Sequence, residues 1–249
     1  TFMKICRFSY NGETHIGVID HDRVHLFGDI LTDHVASFDL NEVTMLPPAS
    51  PSKIVCVGRN YADHAKELGN DVPSEPLLFL KAPSAIINDG AAIVIPTQSD
   101  QVEHEGELAI VISKKCKGLT EQDVAVEYVF GYTCLNDVTA RDLQRKDGQF
   151  TRAKSFDTFC PIGPFIETDL DTTDLSVTTR VNGDVRQQGR TSQMVFSVEF
   201  LIRYISNMMT LNAGDVIATG TPSGVSKMSA GDICEVEIEG IGILTNPVV

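Results

Sequence analysis

The stretch VEHEGELAIVI, residues 102–112, changes from acidic to strongly apolar and β-forming, and it decides how the rest of the chain is interpreted. Glu105 and Glu107 are two residues apart, so in a strand both side chains leave the same face. Two like charges on one face of a nearly buried strand repel each other and lose hydration unless a positive group lies between them. The pattern therefore predicts a bound cation. We interpret Glu103, by contrast, as a residue of a solvated edge strand.

A third carboxylate, Asp137, follows another apolar β-forming run, GYTCLN, residues 131–136. Three carboxylates would leave about three of the roughly six positions around Mg²⁺ for water or a substrate. The alternative is a solvated strand with alternating glutamates, and the residue pattern alone leaves that alternative open.

Composition and charge exclude several classes of partner. The 249 residues carry a formal net charge of −14, and their lysines and arginines are scattered. A basic face for nucleic acid or for an anionic membrane is therefore not expected. No apolar stretch is long enough to span a membrane, and no signal peptide opens the sequence. The six cysteines are widely spaced, which is typical of reduced thiols in a cytoplasmic protein.

The chain divides at the proline-rich connector PPASPSK, residues 47–53. We predict a small N-terminal β domain over residues 1–47 and a main domain over residues 52–249. The main domain is predicted to consist of short strands separated by turns that contain Gly, Pro and Asp. Three of the predicted strands are KIVCVG (53–58), PLLFLKA (76–82) and AAIVIP (91–96).

Two helices are predicted in the main domain. One covers Tyr61–Leu68 with Asn60 as its N-cap, and the other runs from about Gln193 to Met209 with Ser192 as its cap. In the second helix, apolar residues recur at helical spacing, which indicates core packing.

Candidate catalytic groups lie on three segments. His64 and Glu67 are three residues apart, hence on one helix face, where the carboxylate can fix the imidazole tautomer. Lys154 stands in an apolar setting, TRAKSFDTFCPIGPF, residues 151–165, so it either extends its amine to water or pairs with a negative group. The turn ATGTPSGV, residues 218–225, offers backbone N–H groups and the Thr221 hydroxyl to an anion. Each of these segments also has an ordinary structural explanation.

Seven segments in order resemble the fumarylacetoacetate hydrolase family over about residues 52–249. They are VGRNYADHAKE (57–67), SEPLLFLKAPSA (74–85), HEGELAIVI (104–112), DVTARDLQ (137–144), AKSFDTFCPIGP (153–164), VNGDVRQQGRTSQMVFS (181–197) and GDVIATGTPSGV (214–225).

The resemblance implies an α+β, mainly β fold, with a mixed β-roll core, a few short helices and the small N-terminal β unit. It also implies Mg²⁺ or Mn²⁺ as cofactor and a homodimer. The implied site residues are His64, Glu67 and Lys154 for catalysis, Arg59, Gln144 and Thr221 for substrate binding, and Glu105, Glu107 and Asp137 for the metal.

The sequence departs from the family pattern at Gly106, where a bulkier apolar residue usually stands, and at Ser226, where glycine is frequent. We expect the glycine to loosen the strand that carries the metal ligands.

The implied reaction acts on a 2-oxo or 2,4-dioxo carboxylate through a pyruvate enolate held at the metal. Hydrolysis of a C–C bond in an acylpyruvate, with His64 activating water, is the first hypothesis. Decarboxylation or tautomerisation of oxaloacetate is an alternative, as are the isomerase and decarboxylase reactions on 2-hydroxyhepta-2,4-diene-1,7-dioate and 5-oxopent-3-ene-1,2,5-tricarboxylate. A paralogue that binds an oxo acid without turning it over is a further alternative.

Overall fold

The computed structural model describes residues 3–27 and 36–249. Strands dominate it, and the helices are short, so the predicted α+β, mainly β class is confirmed. The helices are α1 (Ala62–Glu67), α2 (Arg141–Asp147), α3 (Thr151–Lys154) and α4 (Val198–Met208). The strands are β1 (Lys4–Tyr10), β2 (Glu13–Asp20), β3 (Arg23–Leu26), β4 (Ser37–Asp39), β5 (Thr44–Leu46), β6 (Ile54–Gly58), β7 (Leu77–Lys81), β8 (Ile86–Ile87), β9 (Val102–Glu103), β10 (Gly106–Ile112), β11 (Val129–Asn136), β12 (Thr139–Ala140), β13 (Cys160–Glu167), β14 (Ser176–Val181), β15 (Asp184–Arg190), β16 (Val216–Ala218), β17 (Ile233–Ile238) and β18 (Gly242–Pro247).

A large mixed sheet has the order β4-β3-β2-β1-β13-β11-β10-β16-β6-β7, with β5 added on β1 and β8 on β13. Strands β6 and β16 are parallel, whereas β10 is antiparallel to both of its neighbours. The N-terminal strands join this sheet because Lys4 and Ile5 of β1 pair with Glu167 and Ile166 of β13. The division into domains at residues 47–52 stays a prediction.

Strand β10 is buried on both faces, as its continuous apolar run requires. Leu108 and Ile110 face one core, together with Val177 of β14 and Leu201 of α4. Ala109 and Val111 face a second core on the opposite side of the sheet, in keeping with the two-residue period of a strand. A four-stranded sheet, β15-β14-β17-β18, therefore covers one face of the large sheet. The carboxylates at the start of β10 are thus enclosed by protein.

Two of the predicted helix caps are wrong. Helix α4 begins at Val198, and the hydroxyl of Ser197 caps it by accepting from the backbone N–H of Phe200 at 3.4 Å. Ser192 instead donates to Asp174 at 2.6 Å. The N-cap of α1 is Tyr61, because the side chain of Asn60 is used elsewhere, in bonds to the main chain of Phe196 and Thr219.

The predicted strand AAIVIP is also wrong. Ile93 forms only an isolated bridge to Val248, and the side chain of Val94 is exposed. The apolar run there follows the C-terminal segment through three backbone hydrogen bonds, two at Ile93 and one at Ile95, and does not form a regular strand. An apolar run therefore predicts that some of its residues are buried, but it does not by itself predict a strand.

Other expectations from composition agree with the structure. All six cysteines lie within the described residues, and all are buried and unpaired. Among residues 3–27 and 36–249, no helix is both long enough and apolar enough to cross a membrane. A cytoplasmic location stays a prediction.

Candidate active site

Glu105, Glu107 and Asp137, which we call the carboxylate cluster, meet at the start of β10. Each offers one oxygen atom, and these oxygens lie within 4.8 Å of one another. Strand pairing explains the meeting, because Gly106 of β10 pairs with Asn136, the last residue of β11. The backbone N–H of Asp137 then donates to the carbonyl of Glu105 at 2.8 Å. The predicted convergence of the three side chains is confirmed, whereas their role as metal ligands stays a proposal.

Three cationic side chains surround the cluster. Lys154, which is 2% exposed, donates to Glu105 at 2.8 Å and to Asp137 at 2.7 Å. Lys81 donates to the other oxygen of Asp137 at 2.6 Å, and Arg141 pairs with Glu105. Burial lowers the pKa of Lys154, but the charges of Asp137 and Glu105 outweigh it and raise that pKa. Of the two interpretations of Lys154, pairing with negative groups is therefore the one that the structure supports.

Lys81 and Arg141 are the site residues that sequence reasoning missed. Lys81 lies at the end of β7, and Arg141 is the first residue of α2. A lysine ending an apolar strand was a usable signal, as was an arginine four residues after Asp137. Neither signal identifies the carboxylate that pairs with the cation, because Lys81 and Asp137 are 56 residues apart in the sequence and Arg141 and Glu105 are 36 apart.

The interpretation of Glu103 as part of a solvated edge strand is wrong. It is 6% exposed, and its carboxylate accepts from Arg141 Nε at 2.8 Å. The guanidinium of Arg141 thus bridges Glu103 and Glu105, and it also donates to Gln144 at 2.7 Å. A buried carboxylate needs such a partner, because an unpaired charge in the interior is costly.

Glu107 is the member of the cluster that lacks a cationic partner. Its carboxylate accepts from the backbone N–H of Gly220 at 2.8 Å, and no lysine or arginine within the described ranges forms an ion pair with it. Burial, followed by the charges of Asp137 and Glu105, raises the pKa of Glu107 well above its ordinary value. Carboxylate oxygens are the ligands that Mg²⁺ and Mn²⁺ prefer. Both the donor set and a carboxylate whose ionised form lacks a cationic partner therefore fit a divalent cation.

Gly106 fits its position instead of loosening the strand. An added Cβ would lie 2.1 Å from Thr179 Oγ1 of the covering sheet and 3.2 Å from Val236 Cγ1, so only glycine permits this approach. Ser226, the other departure from the family pattern, has a hydroxyl 2.9 Å from Nε2 of the buried His104. The expectation of a looser metal strand is therefore wrong, because the covering sheet packs directly against the strand at Gly106.

His64 and Glu67 form the side-chain pair that their spacing predicts. His64 is 4% exposed, and its Nδ1 lies 3.3 Å from Glu67 Oε2. The backbone N–H of Gly224 donates to both oxygens of Glu67, at 3.0 and 3.2 Å. The turn 218–225 therefore holds the carboxylate that orients the imidazole, and it contacts the cluster as well through Gly220 and Glu107.

A cavity of about 380 Å³ joins these groups. The cluster, Lys154 and Thr221 line it, and so do His64, Arg59 and Gln144. Glu67 is the one predicted site residue that does not line the cavity, and it contacts the site through His64. Arg59 has a φ of 59°, a left-handed conformation that costs a non-glycine residue roughly 1–3 kcal/mol where the surroundings impose it.

Apolar side chains form the walls of the cavity between the charged groups. They are Val57, Leu68, Leu77, Phe79 and Phe150, and Asn70 and Arg145 line the cavity as well.

Comparison with known proteins finds relatives along nearly the whole chain. The family model described as fumarylacetoacetate (FAA) hydrolase C-terminal matches residues 53–249, and the one described as Rv2993c-like, N-terminal, matches residues 3–48. An uncharacterized protein of Archaeoglobus fulgidus is 51% identical over 243 residues, which cover 98% of this chain and 95% of that protein. Oxaloacetate tautomerase YisK of Bacillus subtilis is 43% identical over 233 residues, which cover 87% of this chain and 77% of that protein. The solved structure of 5-carboxymethyl-2-hydroxymuconate delta-isomerase from Mycobacterium smegmatis matches with a TM-score of 0.90 and 43% identity, covering 99% of both chains.

Proposed function

Because the chain belongs to the fumarylacetoacetate hydrolase family, we propose that it is an enzyme that interconverts the keto and enol forms of a 2-oxo dicarboxylate of the oxaloacetate kind. The observation that carries this proposal is a single cavity lined by both the imidazole of His64 and the carboxylate cluster. A base close to a site for an oxo acid is what proton transfer between carbon and oxygen requires. The names of the two relatives, a tautomerase and an isomerase, support the same class of reaction.

His64 would move the proton. With its Nδ1–H donated to Glu67, the imidazole keeps Nε2 as the basic nitrogen. In the keto-to-enol direction, Nε2 takes a proton from the carbon next to the oxo group. The electron pair of that C–H bond forms the C=C bond, and the 2-oxo oxygen gains the proton that the His64 imidazolium gives up, which restores the neutral imidazole. The reverse direction moves the proton from oxygen back to carbon by the same route, so no other reactant is consumed.

The carboxylate cluster would hold Mg²⁺ or Mn²⁺, in accordance with its donor set and with the need of ionised Glu107 for a cationic partner. When bound, a divalent cation supplies Lewis-acid polarisation of the oxo group. The chain's own residues contribute charge and position. Lys154 brings a buried ammonium to the same end of the cavity.

The remaining lining residues would bind the rest of the substrate. Gln144 and Thr221 lie at the oxo-acid end by the family resemblance, and both line the cavity. Arg59 would bind the second carboxylate, and Arg145 adds a guanidinium to the same cavity, whose third arginine, Arg141, is already paired with Glu103 and Glu105. Guanidinium groups pair with carboxylates in a bidentate way, so these arginines support a dicarboxylate substrate.

Hydrolysis of an acylpyruvate is the second candidate, and the His64–Glu67 pair is the observation that favours it. An imidazole oriented by a carboxylate can also remove a proton from water. The attacking hydroxide would add to the distal carbonyl, the C–C bond would break, and a carboxylic acid and pyruvate would leave. The two candidates share the oxo-acid end of the site and differ in whether a water molecule takes part.

One set of incubations separates the candidates. Oxaloacetate and acetylpyruvate are each mixed with the protein, with and without added Mg²⁺, while enol absorbance and pyruvate are followed. The proposal predicts faster equilibration of oxaloacetate enol with no pyruvate released. Pyruvate from oxaloacetate would indicate decarboxylation, and pyruvate plus acetate from acetylpyruvate would indicate hydrolysis. No effect on either substrate would contradict catalysis and favour a protein that only binds an oxo acid.

Assembly as a homodimer is a proposal that rests on the family alone. Sedimentation equilibrium of the full chain measures the mass directly, and a monomer of 27.1 kDa at micromolar concentration would contradict it. The absence of a nucleic-acid partner stays a prediction from the scattered basic residues.

A further inference from the structure

Gln187 is a buried polar residue to which neither the family resemblance nor the proposed reaction assigns a role. It lies on β15 and is fully buried, whereas its neighbour Gln188 on the opposite face of the strand is exposed. A buried amide needs partners for its oxygen and its nitrogen. Its partners are His104 and Gly106, in the segment that carries Glu105 and Glu107, and Thr221 and Pro222 of the turn 218–225.

Two backbone groups fix the orientation of the Gln187 amide. Its Oε1 accepts from the backbone N–H of Gly106 at 3.0 Å, and its Nε2 donates to the carbonyl of Pro222 at 2.7 Å. Because a backbone N–H only donates and a carbonyl only accepts, the amide cannot be turned over. The Nε2 atom is therefore also the donor in the 2.7 Å contact with Thr221 Oγ1.

The same logic fixes the hydroxyl of Thr221. Its oxygen lies 2.8 Å from the carbonyl of Gly106, which only accepts, so the hydroxyl hydrogen points there. Of the two lone pairs of Thr221 Oγ1, one accepts from Gln187 and the other is left for a ligand. A ligand that bonds this hydroxyl must therefore donate. A carboxylate has no hydrogen to donate, but the hydroxyl of an enol has one.

Gln187 also ties together two parts of the site that come from separate stretches of the chain. Gly106 stands between Glu105 and Glu107, and the turn 218–225 carries Thr221. The turn is bonded to the cluster at a further point, where Gly220 donates to Glu107 at 2.8 Å. Side chains that orient the ligands of a site typically change affinity or activity 10- to 100-fold when they are removed.

We propose that Gln187 is a positioning residue of this site. It holds Gly106 and Thr221 in place, so that the Thr221 hydroxyl, which donates to the Gly106 carbonyl, is a hydrogen-bond acceptor for the enol hydroxyl of the substrate. The inference rests on the proposed function, because the enol is one of the two species that the reaction interconverts. It makes Thr221 a residue that distinguishes the enol from the keto form, while the substrate carboxylates are bound by other groups.

A double-mutant cycle tests whether Gln187 acts through Thr221. The variants are Gln187→Leu, Thr221→Val and the two together, with Gln188→Leu as the matched control on the exposed face of β15. We expect Gln187→Leu to lower kcat/KM for the enol about 10- to 100-fold, and Gln188→Leu to leave it unchanged. The double variant should be no slower than the slower single variant, because each single variant already removes the hydrogen bond between Gln187 and Thr221. Factors that multiply would overturn the inference.

A binding measurement gives the same test without turnover. Malonate and tartronate differ by one hydroxyl, and each is titrated into the full chain with saturating Mg²⁺. We expect the ratio of their dissociation constants to shift against tartronate by about 2- to 12-fold in Thr221→Val and Gln187→Leu, the worth of one hydrogen bond. Thr221→Ser and Gln188→Leu should keep the parent ratio. Equal weakening of both ligands would overturn the inference.

Failure of the proposed function and failure of this inference can be told apart. If the parent protein does not turn over oxaloacetate, the proposed function fails, and the ratio of dissociation constants still decides the direction of the Thr221 hydroxyl. If Gln187→Leu does not melt cooperatively, Gln187→Met preserves the side-chain length without the amide and is measured in its place.

Discussion

Replacement of Lys81 by methionine tests whether the cations around the cluster compensate its charge. Lys81 is 1% exposed, and its ammonium donates to Asp137 at 2.6 Å and to the carbonyl of Val138 at 3.1 Å. Breaking a buried ion pair by removing one partner costs about 3–5 kcal/mol. Because Lys154 still pairs with Asp137, we expect the lower end, about 3 kcal/mol. For a chain of this size that corresponds to a melting temperature lower by about 6–12 °C.

The assay is urea unfolding followed by far-ultraviolet circular dichroism, with EDTA present so that no metal compensates the lost charge. The chain has no tryptophan for fluorescence. Adding Asp137→Asn to Lys81→Met should recover stability, because it removes the charge that was left unpaired. Arg152→Met is the control, since Arg152 pairs with Asp147 at the surface, and it should change stability little. A loss below about 1 kcal/mol in Lys81→Met, or a double variant less stable than the single one, would refute this reasoning.

Three further predictions address other parts of the structure. His64→Ala should lower turnover about 10²–10⁴-fold in steady-state assays without changing metal affinity, and equal rates would remove His64 from the mechanism. Gly106→Ala should lower the free energy of unfolding in urea by about 1–3 kcal/mol, because the new Cβ would lie 2.1 Å from Thr179 Oγ1. Adding Thr179→Ala should restore most of that stability, and a double variant no more stable than Gly106→Ala would contradict this packing contact. Burial raises the pKa of Asp215, but hydrogen bonds from Asn212, Lys53 and Ser52 outweigh it and lower that pKa. The stability that Asp215 contributes is therefore present above about pH 4, its unfolded value, and is lost as the pH falls through the lower folded value. Between pH 2 and 5, the free energy of unfolding of Asp215→Asn should fall less steeply with decreasing pH than that of the parent protein. Identical pH dependence in the two proteins would contradict this prediction.

Features that depend on short-range spacing were predictable from the sequence. The two-residue spacing of Glu105 and Glu107 and the three-residue spacing of His64 and Glu67 each place two side chains on one face, as the structure shows. The apolar run after Glu107 correctly predicted a largely buried strand, and the structure shows that every residue of β10 is buried. Local geometry settles such cases because strands and helices have fixed periods.

Features that depend on contacts between distant segments were not predictable in the same way. The charge of Glu103 is compensated by Arg141, 38 residues away, so Glu103 is buried where its sequence neighbours indicated a solvated edge. The start of α4 likewise depends on Asn60, whose side chain holds the main chain of Phe196 136 residues away. The sequence pattern predicted a start at about Gln193 with Ser192 as the cap, whereas the contact with Asn60 leaves Phe196 outside the helix and Ser197 is the cap.

The Gly106 position shows how a family pattern can mislead when it is read without the fold. A missing side chain between the two predicted ligands Glu105 and Glu107 suggested a looser strand, yet the covering sheet approaches that strand so closely that a methyl group would not fit. The covering residue, Thr179, lies 73 positions further along the chain, in β14. Small residues in a strand are therefore informative only together with what packs against them.

Titration with Mn²⁺, followed by electron paramagnetic resonance of the metal that stays unbound, tests the central claim that Glu105, Glu107 and Asp137 hold one divalent cation. We predict saturation at one Mn²⁺ per chain, competition by Mg²⁺, and loss of this binding in Asp137→Asn but not in the control Asp147→Asn at the surface. Absence of saturable binding in the parent protein, or undiminished binding in Asp137→Asn, would contradict the claim.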